Sequence, residues 1–254
     1  MTQPALAFQD PIRGRIYRHP ITGREVPSVT TISAMLHRPA LERWKLVTVA
    51  RKGLEVGAAG GNSRRETVTK VCGEPERIAA DAAAIGDEVH NAAEALAKGE
   101  PVVVSKRAAP YVESWRAFMA NHQVNILAVE QTVWNDTVGY AGTFDLLCEL
   151  DGLVTLVDYK TSRALHEEIA LQLVALAHGE HLVDPEGVIG PMPAVEQAVG
   201  VDLRPDGYLP RQVPLTSWAW EGFCGLRAAW AWVHQSPAAL GQVLRPSHVE
   251  VSRC

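Results

Sequence analysis

Two aspartates and a lysine stand close together in a stretch that begins Gly142-Thr143-Phe144-Asp145 and ends Asp158-Tyr159-Lys160-Thr161-Ser162. Residues thirteen apart do chemistry together only if the chain doubles back between them. Asp151-Gly152, set between two apolar runs, is a strong signal for that, because a type I′ turn needs positive φ at both central residues. With these two in the turn, paired residues have numbers that sum to 303, so Leu150 opposes Leu153, Cys148 opposes Thr155 and Asp145 opposes Asp158. Directly opposed residues share a face, with Cβ atoms about 4.5–5.5 Å apart. Strand alternation then adds Lys160 to that face. Of the six lysines, only Lys160 follows an acidic residue by two positions.

Facing carboxylates repel unless something compensates them. A divalent cation would, and magnesium favours a few carboxylates plus water and phosphate oxygens. Such an ion polarises a phosphodiester and lowers the pKa of a water, while Lys160 could orient that water or offset phosphate charge. The competing reading is a surface hairpin in which Lys160 pairs with the aspartates. A one-residue bulge would break the register.

The surrounding pattern supplies the elements. The segment to about Pro27 reads as an arm or short hairpin, followed by Ser28, Thr30 and Thr31 as helix-cap candidates. Residues 40–56 have helical spacing, Gly57–Ser63 is a break, and further helices are predicted over about Glu76–Lys98 and Lys106–Asn121. After Gln123 the period changes, and residues 124–134, 140–150 and 153–160 read as strands. A helix from about His166 to His181, a hairpin around Pro205-Asp206-Gly207 and a Trp-rich helix over about 217–234 complete the pattern. The expected fold is α/β, a central mixed sheet flanked by helices. Its divisions are a basic arm (1–27), a helical region (28–122), a core (123–235) and a tail (236–254), in one globular unit. Trp218, Trp220, Trp230 and Trp232 are expected to pack the last helix or form an interface.

The net charge is −5, but it is unevenly spread: residues 1–70 hold twelve Lys and Arg against five Asp and Glu, so the remainder sums to −12. A basic region beside an acidic one suits a protein that holds phosphates with one part and cations with another. The cysteines, at 72, 148, 224 and 254, form no close-spaced pair, which argues against zinc or redox motifs. Cys148 reads as a small core residue. No apolar run approaches a membrane span and the N-terminus lacks a secretory pattern, so a cytoplasmic chain is expected.

Gly142-Thr-Phe-Asp145 with Asp158-Tyr-Lys160-Thr-Ser resembles the PD-(D/E)xK nuclease superfamily, above all the RecB-type and phage exonucleases and those of CRISPR adaptation. The likeness spans about residues 27–215 and includes Pro27-Ser-Val-Thr-Thr31. It implies a restriction-endonuclease-like sheet and Mg²⁺- or Mn²⁺-dependent DNA hydrolysis, with DNA as partner beside recombination or replication proteins. Gly86-Asp-Glu-Val-His90 matches the family's helix motif and implies His90 as a metal ligand with Asp145, Asp158 and the Tyr159 carbonyl. Glu130 matches an acidic strand position that assists the metal or the water, and Lys160 is the catalytic lysine. Gln172 matches a helix motif associated with DNA contact, but the tyrosine that usually follows is Leu176 here. Arg43, Arg64 and Arg65 are candidate phosphate contacts. A close-spaced cysteine trio is missing, so an iron–sulfur cluster is not expected. Internal cutting, and a binding module without catalysis, stay open as alternatives.

Overall fold

The computed structural model describes residues 6–59, 63–161 and 165–235. The tail at 236–254 with Cys254, Ser162 and part of the Gly57–Ser63 segment fall outside them. The N-terminal segment forms three antiparallel strands, β1 (Ala7–Asp10), β2 (Gly14–Arg18) and β3 (Glu25–Pro27). Tyr17 and Val26 are buried against Trp134, Ala141 and Val183, so this segment is a small packed sheet and not a free arm. Five helices follow: α1 (Val29–Ser33), α2 (Pro39–Ala59), α3 (Arg64–Cys72), α4 (Glu74–Ala97) and α5 (Ala109–Asn121). Ser28 caps α1 by accepting from the Thr31 amide. The α2 helix continues into the expected break as far as Ala59. The α3 helix was not legible in the pattern, since it buries no residue and so carries no apolar stripe; a Ser63–Glu66 capping box starts it.

The remaining elements are β4 (Val124–Val129), β5 (Thr132–Asn135), β6 (Tyr140–Thr143), β7 (Leu146–Leu150), β8 (Leu153–Lys160), α6 (Glu168–Ala177), β9 (His181–Val183), β10 (Ile189–Pro191), β11 (Gln197–Arg204), β12 (Gly207–Val213) and α7 (Ser217–Gln235). The molecule is therefore mixed α/β. Its main sheet has the order β12-β11-β8-β7-β4, antiparallel except for the β8–β11 pair. Asp151 and Gly152 take φ of 50° and 90°, and the β7–β8 register runs from Leu150↔Leu153 to Leu146↔Val157, without a bulge. Two expected strands prove to be four. The 124–134 run divides into β4 and β5 and the 140–150 run into β6 and β7, because both chains leave the main sheet at one level for a second sheet, β10-β9-β5-β6.

Alternation on β8 sends Val157 and Tyr159 towards α4 and α5, and Leu156 towards α1 and α6. The main sheet thus lies between two helical layers. The α6 helix stops at Ala177, short of the expected end, and Gly179 lets the chain return against β5. A Cβ at 179 would lie 2.1 Å from Val133 Cγ1 and 3.2 Å from the Leu176 carbonyl oxygen. Gly179→Ala is therefore expected to lose about 3 kcal/mol of stability by overpacking; a urea midpoint matching the wild type would contradict that close approach. Among the described residues, no helix is long and apolar enough to cross a membrane.

Candidate metal centre

The two strand breaks place the acids. Glu130 follows β4 with φ 51°, an uncommon conformation for a non-glycine residue, and Asp145 precedes β7. Their backbones meet, the Glu130 amide donating to the Asp145 carbonyl at 3.3 Å. The β7–β8 ladder ends at Leu146↔Val157, which leaves the next outward amide of β8, that of Tyr159, without a ladder partner. The Asp145 carboxylate takes that place, its Oδ2 accepting from Tyr159 N at 2.7 Å. A strand residue turns its N–H and C=O to the same edge, so the Tyr159 carbonyl also lies on the Asp145 side.

The α4 helix brings the imidazole. Its Val89, His90, Ala92 and Ala93 are buried, and Nδ1 of His90 stands 3.2 Å from Asp145 Oδ1. Gly86, one turn earlier, is where a Cβ would come within 3.3 Å of Thr161 Oγ1, so the glycine lets α4 approach the end of β8. One ligand atom each from His90, Glu130 and Asp145 lie within 4.8 Å of one another. Asp158 and Lys160 line the same cleft of about 110 Å³. Asp158 Oδ2 is 2.5 Å from Lys160 Nζ, while Oδ1 accepts from Gln172 Nε2 at 2.7 Å.

Electrostatics follow from packing these charges together. Burial, and then the charge of Asp145, push the Glu130 carboxyl up to about 8. Burial opposes the charge on His90, yet Asp145 outweighs it and raises the imidazole to about 9. Burial likewise works against ionised Asp145, but His90 holds it below the usual carboxylate range. Asp158 is raised by burial, with Lys160 pulling the other way. Burial would lower Lys160, but Asp158 and Asp145 keep it above its ordinary value. Without a cation, this cluster keeps protons to limit its own repulsion. That donor set suits a hard divalent ion.

The other expected residues are placed less centrally. Gln172 reaches the cleft from α6 and orients Asp158, a carboxylate partner where a DNA contact was anticipated. Leu176, at the position where the sequence resemblance expects a tyrosine, lines the cleft. A Cβ at Gly142 would lie 2.8 Å from Val29 Cγ2 and 2.9 Å from Leu176 Cδ2, so the glycine of Gly142-Thr-Phe-Asp145 lets α1 and α6 close on β6. Arg43, on α2, and Arg64 and Arg65, on α3, are exposed and do not line the cleft. The arginine that does is Arg15, in company with Ser28, Thr30 and Thr143. Sequence reading included Arg15 only as one of many basic residues; its proximity to Thr31, whose Oγ1 accepts from the Arg15 amide at 3.0 Å, is a long-range contact with no local signal. Cys148 is buried in the core, as anticipated. Trp230 is buried and Trp220 stacks on His178 at 4.1 Å, whereas Trp218 and Trp232 face solvent.

No known protein family and no curated protein matches this chain.

Proposed function

We propose that the chain is a metal-dependent DNA nuclease with a restriction-endonuclease-like core of the PD-(D/E)xK type. The observation that carries this reading is the convergence of His90, Glu130 and Asp145 within 4.8 Å, in a cleft that also holds Asp158 and Lys160. These residues fit Mg²⁺ or Mn²⁺, held by His90, Glu130 and Asp145 with the Tyr159 carbonyl and Asp158 beside them. Such an ion would supply Lewis-acid polarisation of the phosphodiester and a more acidic water.

The chain's own residues do the rest. Gln172 and Lys160 hold the Asp158 carboxylate from two sides, and the Tyr159 amide fixes the rotation of Asp145. Lys160, with its side chain 36% exposed, is positioned to offset charge on a phosphate or to orient the attacking water. Arg15 adds a basic residue to the lining of the cleft. Action on DNA ends, in recombination, repair or phage replication, rests on the sequence resemblance.

End-labelled linear DNA incubated with Mg²⁺, Mn²⁺ or chelator, beside an Asp158→Ala variant, tests the reading. Cleavage is expected with either metal, none with chelator, and a loss of at least about a hundredfold in the variant, since the carboxylate that Lys160 and Gln172 hold is gone. Metal-independent cleavage, or an unchanged variant, would remove the proposal. Attack on a closed circle at a rate equal to that on the linear form would redirect it to internal cutting.

A further inference from the structure

Beside the cleft lies a second pocket, of about 300 Å³, which shares Thr30, Lys160 and Gln172 with it. Two buried polar atoms in its wall lack hydrogen-bond partners among the described residues: the Ser33 hydroxyl and Nε of Arg38. Ser33 is only 6% exposed, at the end of α1. A buried hydroxyl or guanidinium N–H left unpaired is costly, and native structures rarely leave one without a reason. Arg38 is partly committed, its Nη2 lying 2.8 Å from Glu168 Oε2. Glu168 also lines the pocket, and its charge is taken up by that pair. What remains for an occupant is a pair of unpartnered donors, Nε of Arg38 and the Ser33 hydroxyl, with Lys160, already paired with Asp158, and the exposed His166 ring beside them. Donors without a matching acceptor call for an anion with several oxygens.

We infer that this pocket, built by Ser33, Arg38 and Lys160 beside the metal centre, binds a phosphate group, that of the nucleotide next to the cleavage point in a bound strand. This rests on the nuclease reading for the identity of the strand, but not for the anion site itself. Lys160 stands in both pockets, so one ammonium faces the reacting phosphate and its neighbour. A strand gripped there is held in register with the metal centre by contacts to its backbone, which favours binding without regard to sequence.

The test uses the full chain in chelator, where neither metal nor turnover is needed. Inorganic phosphate, against chloride at equal ionic strength, is expected to raise the melting temperature of the wild type. The rise should be absent in Arg38→Gln and reduced in Ser33→Ala, a variant that leaves the Arg38–Glu168 pair intact; circular dichroism checks folding. A fluorescent DNA oligonucleotide should bind about tenfold more weakly to Arg38→Gln, with a salt dependence reduced by about one counterion. Equal protection of all three proteins by phosphate, or none of any, overturns the site. Protection that vanishes in the variants while oligonucleotide affinity stays unchanged assigns the pocket to free phosphate and overturns the strand contact. Failure of the nuclease reading would register separately, as missing cleavage in the wild type with phosphate binding preserved.

Discussion

Asp145→Asn should abolish cleavage by at least about a thousandfold, on the order of 4 kcal/mol of lost transition-state stabilisation, while the protein still folds. The contacts explain why both halves of that result belong together. One Asp145 oxygen accepts from the Tyr159 amide at 2.7 Å, and an asparagine carbonyl can still accept there, so the end of β8 keeps its partner. The other oxygen lies 3.2 Å from His90 and within the cluster that includes Glu130, and there the charge itself is needed. An amide is a poor ligand for a hard cation competing with water. The variant should therefore melt cooperatively yet gain no thermal stability from Mg²⁺ or Mn²⁺, whereas the wild type is expected to be stabilised by either ion through mass action. Equal metal-induced stabilisation of both proteins would place the ion elsewhere. Full cleavage by the variant would remove Asp145 from the site altogether.

Metal binding should strengthen steeply with pH. In the metal-free protein, Glu130 is raised from 4.5 to about 8 and His90 from 6.5 to about 9. Both groups thus hold protons near neutrality that a cation must displace, and each displaced proton makes the affinity rise about tenfold per pH unit below its pKa. The sign for stability without metal is the reverse. A group whose folded pKa is raised contributes stability that is fully present below its ordinary value and is lost as pH climbs through the folded value. The metal-free protein should accordingly lose several degrees of melting temperature between about pH 4.5 and 9, the window set by these two groups. Asp145, held low, matters only in acid and does not enter that window. Mn²⁺ titrations by calorimetry at pH 6.5, 7.5 and 8.5, in buffers of different ionisation enthalpy, measure both affinity and proton release. Affinity independent of pH, with no protons released, would show that Glu130 and His90 are not ligands.

Local chemistry was sufficient for the hairpin. Asp151-Gly152 has one favoured two-residue turn, and once the turn is set the period of two dictates every partner up to Leu146 and Val157. The same holds for α4, which buries Val89, His90, Ala92 and Ala93 on one face and ends at Ala97, with Lys98 as its cap before Gly99 at φ 78°. The nearness of Asp158 and Lys160 could thus be reasoned from neighbours in the chain, but the expected Asp145↔Asp158 pair lies beyond the last rung of the ladder, and the Asp145 carboxylate meets the Tyr159 amide instead. The breaks that turn Glu130 and Asp145 out of their strands could not. Glu130 adopts a positive φ without glycine, and the force holding it there comes from pairing between β5, β6 and β9, which meet only after folding. Charge patterning also did not single out Arg15: Arg43, Arg64 and Arg65 are as conspicuous in sequence and lie exposed on α2 and α3, whereas Arg15 gains its position at the cleft from β2 and the hydroxyl of Thr31. Sequence alone determined the pieces whose geometry is written in runs of a few residues. Tertiary structure decided where they converge, because burial, sheet exchange and the pKa of every buried acid depend on groups far apart along the chain.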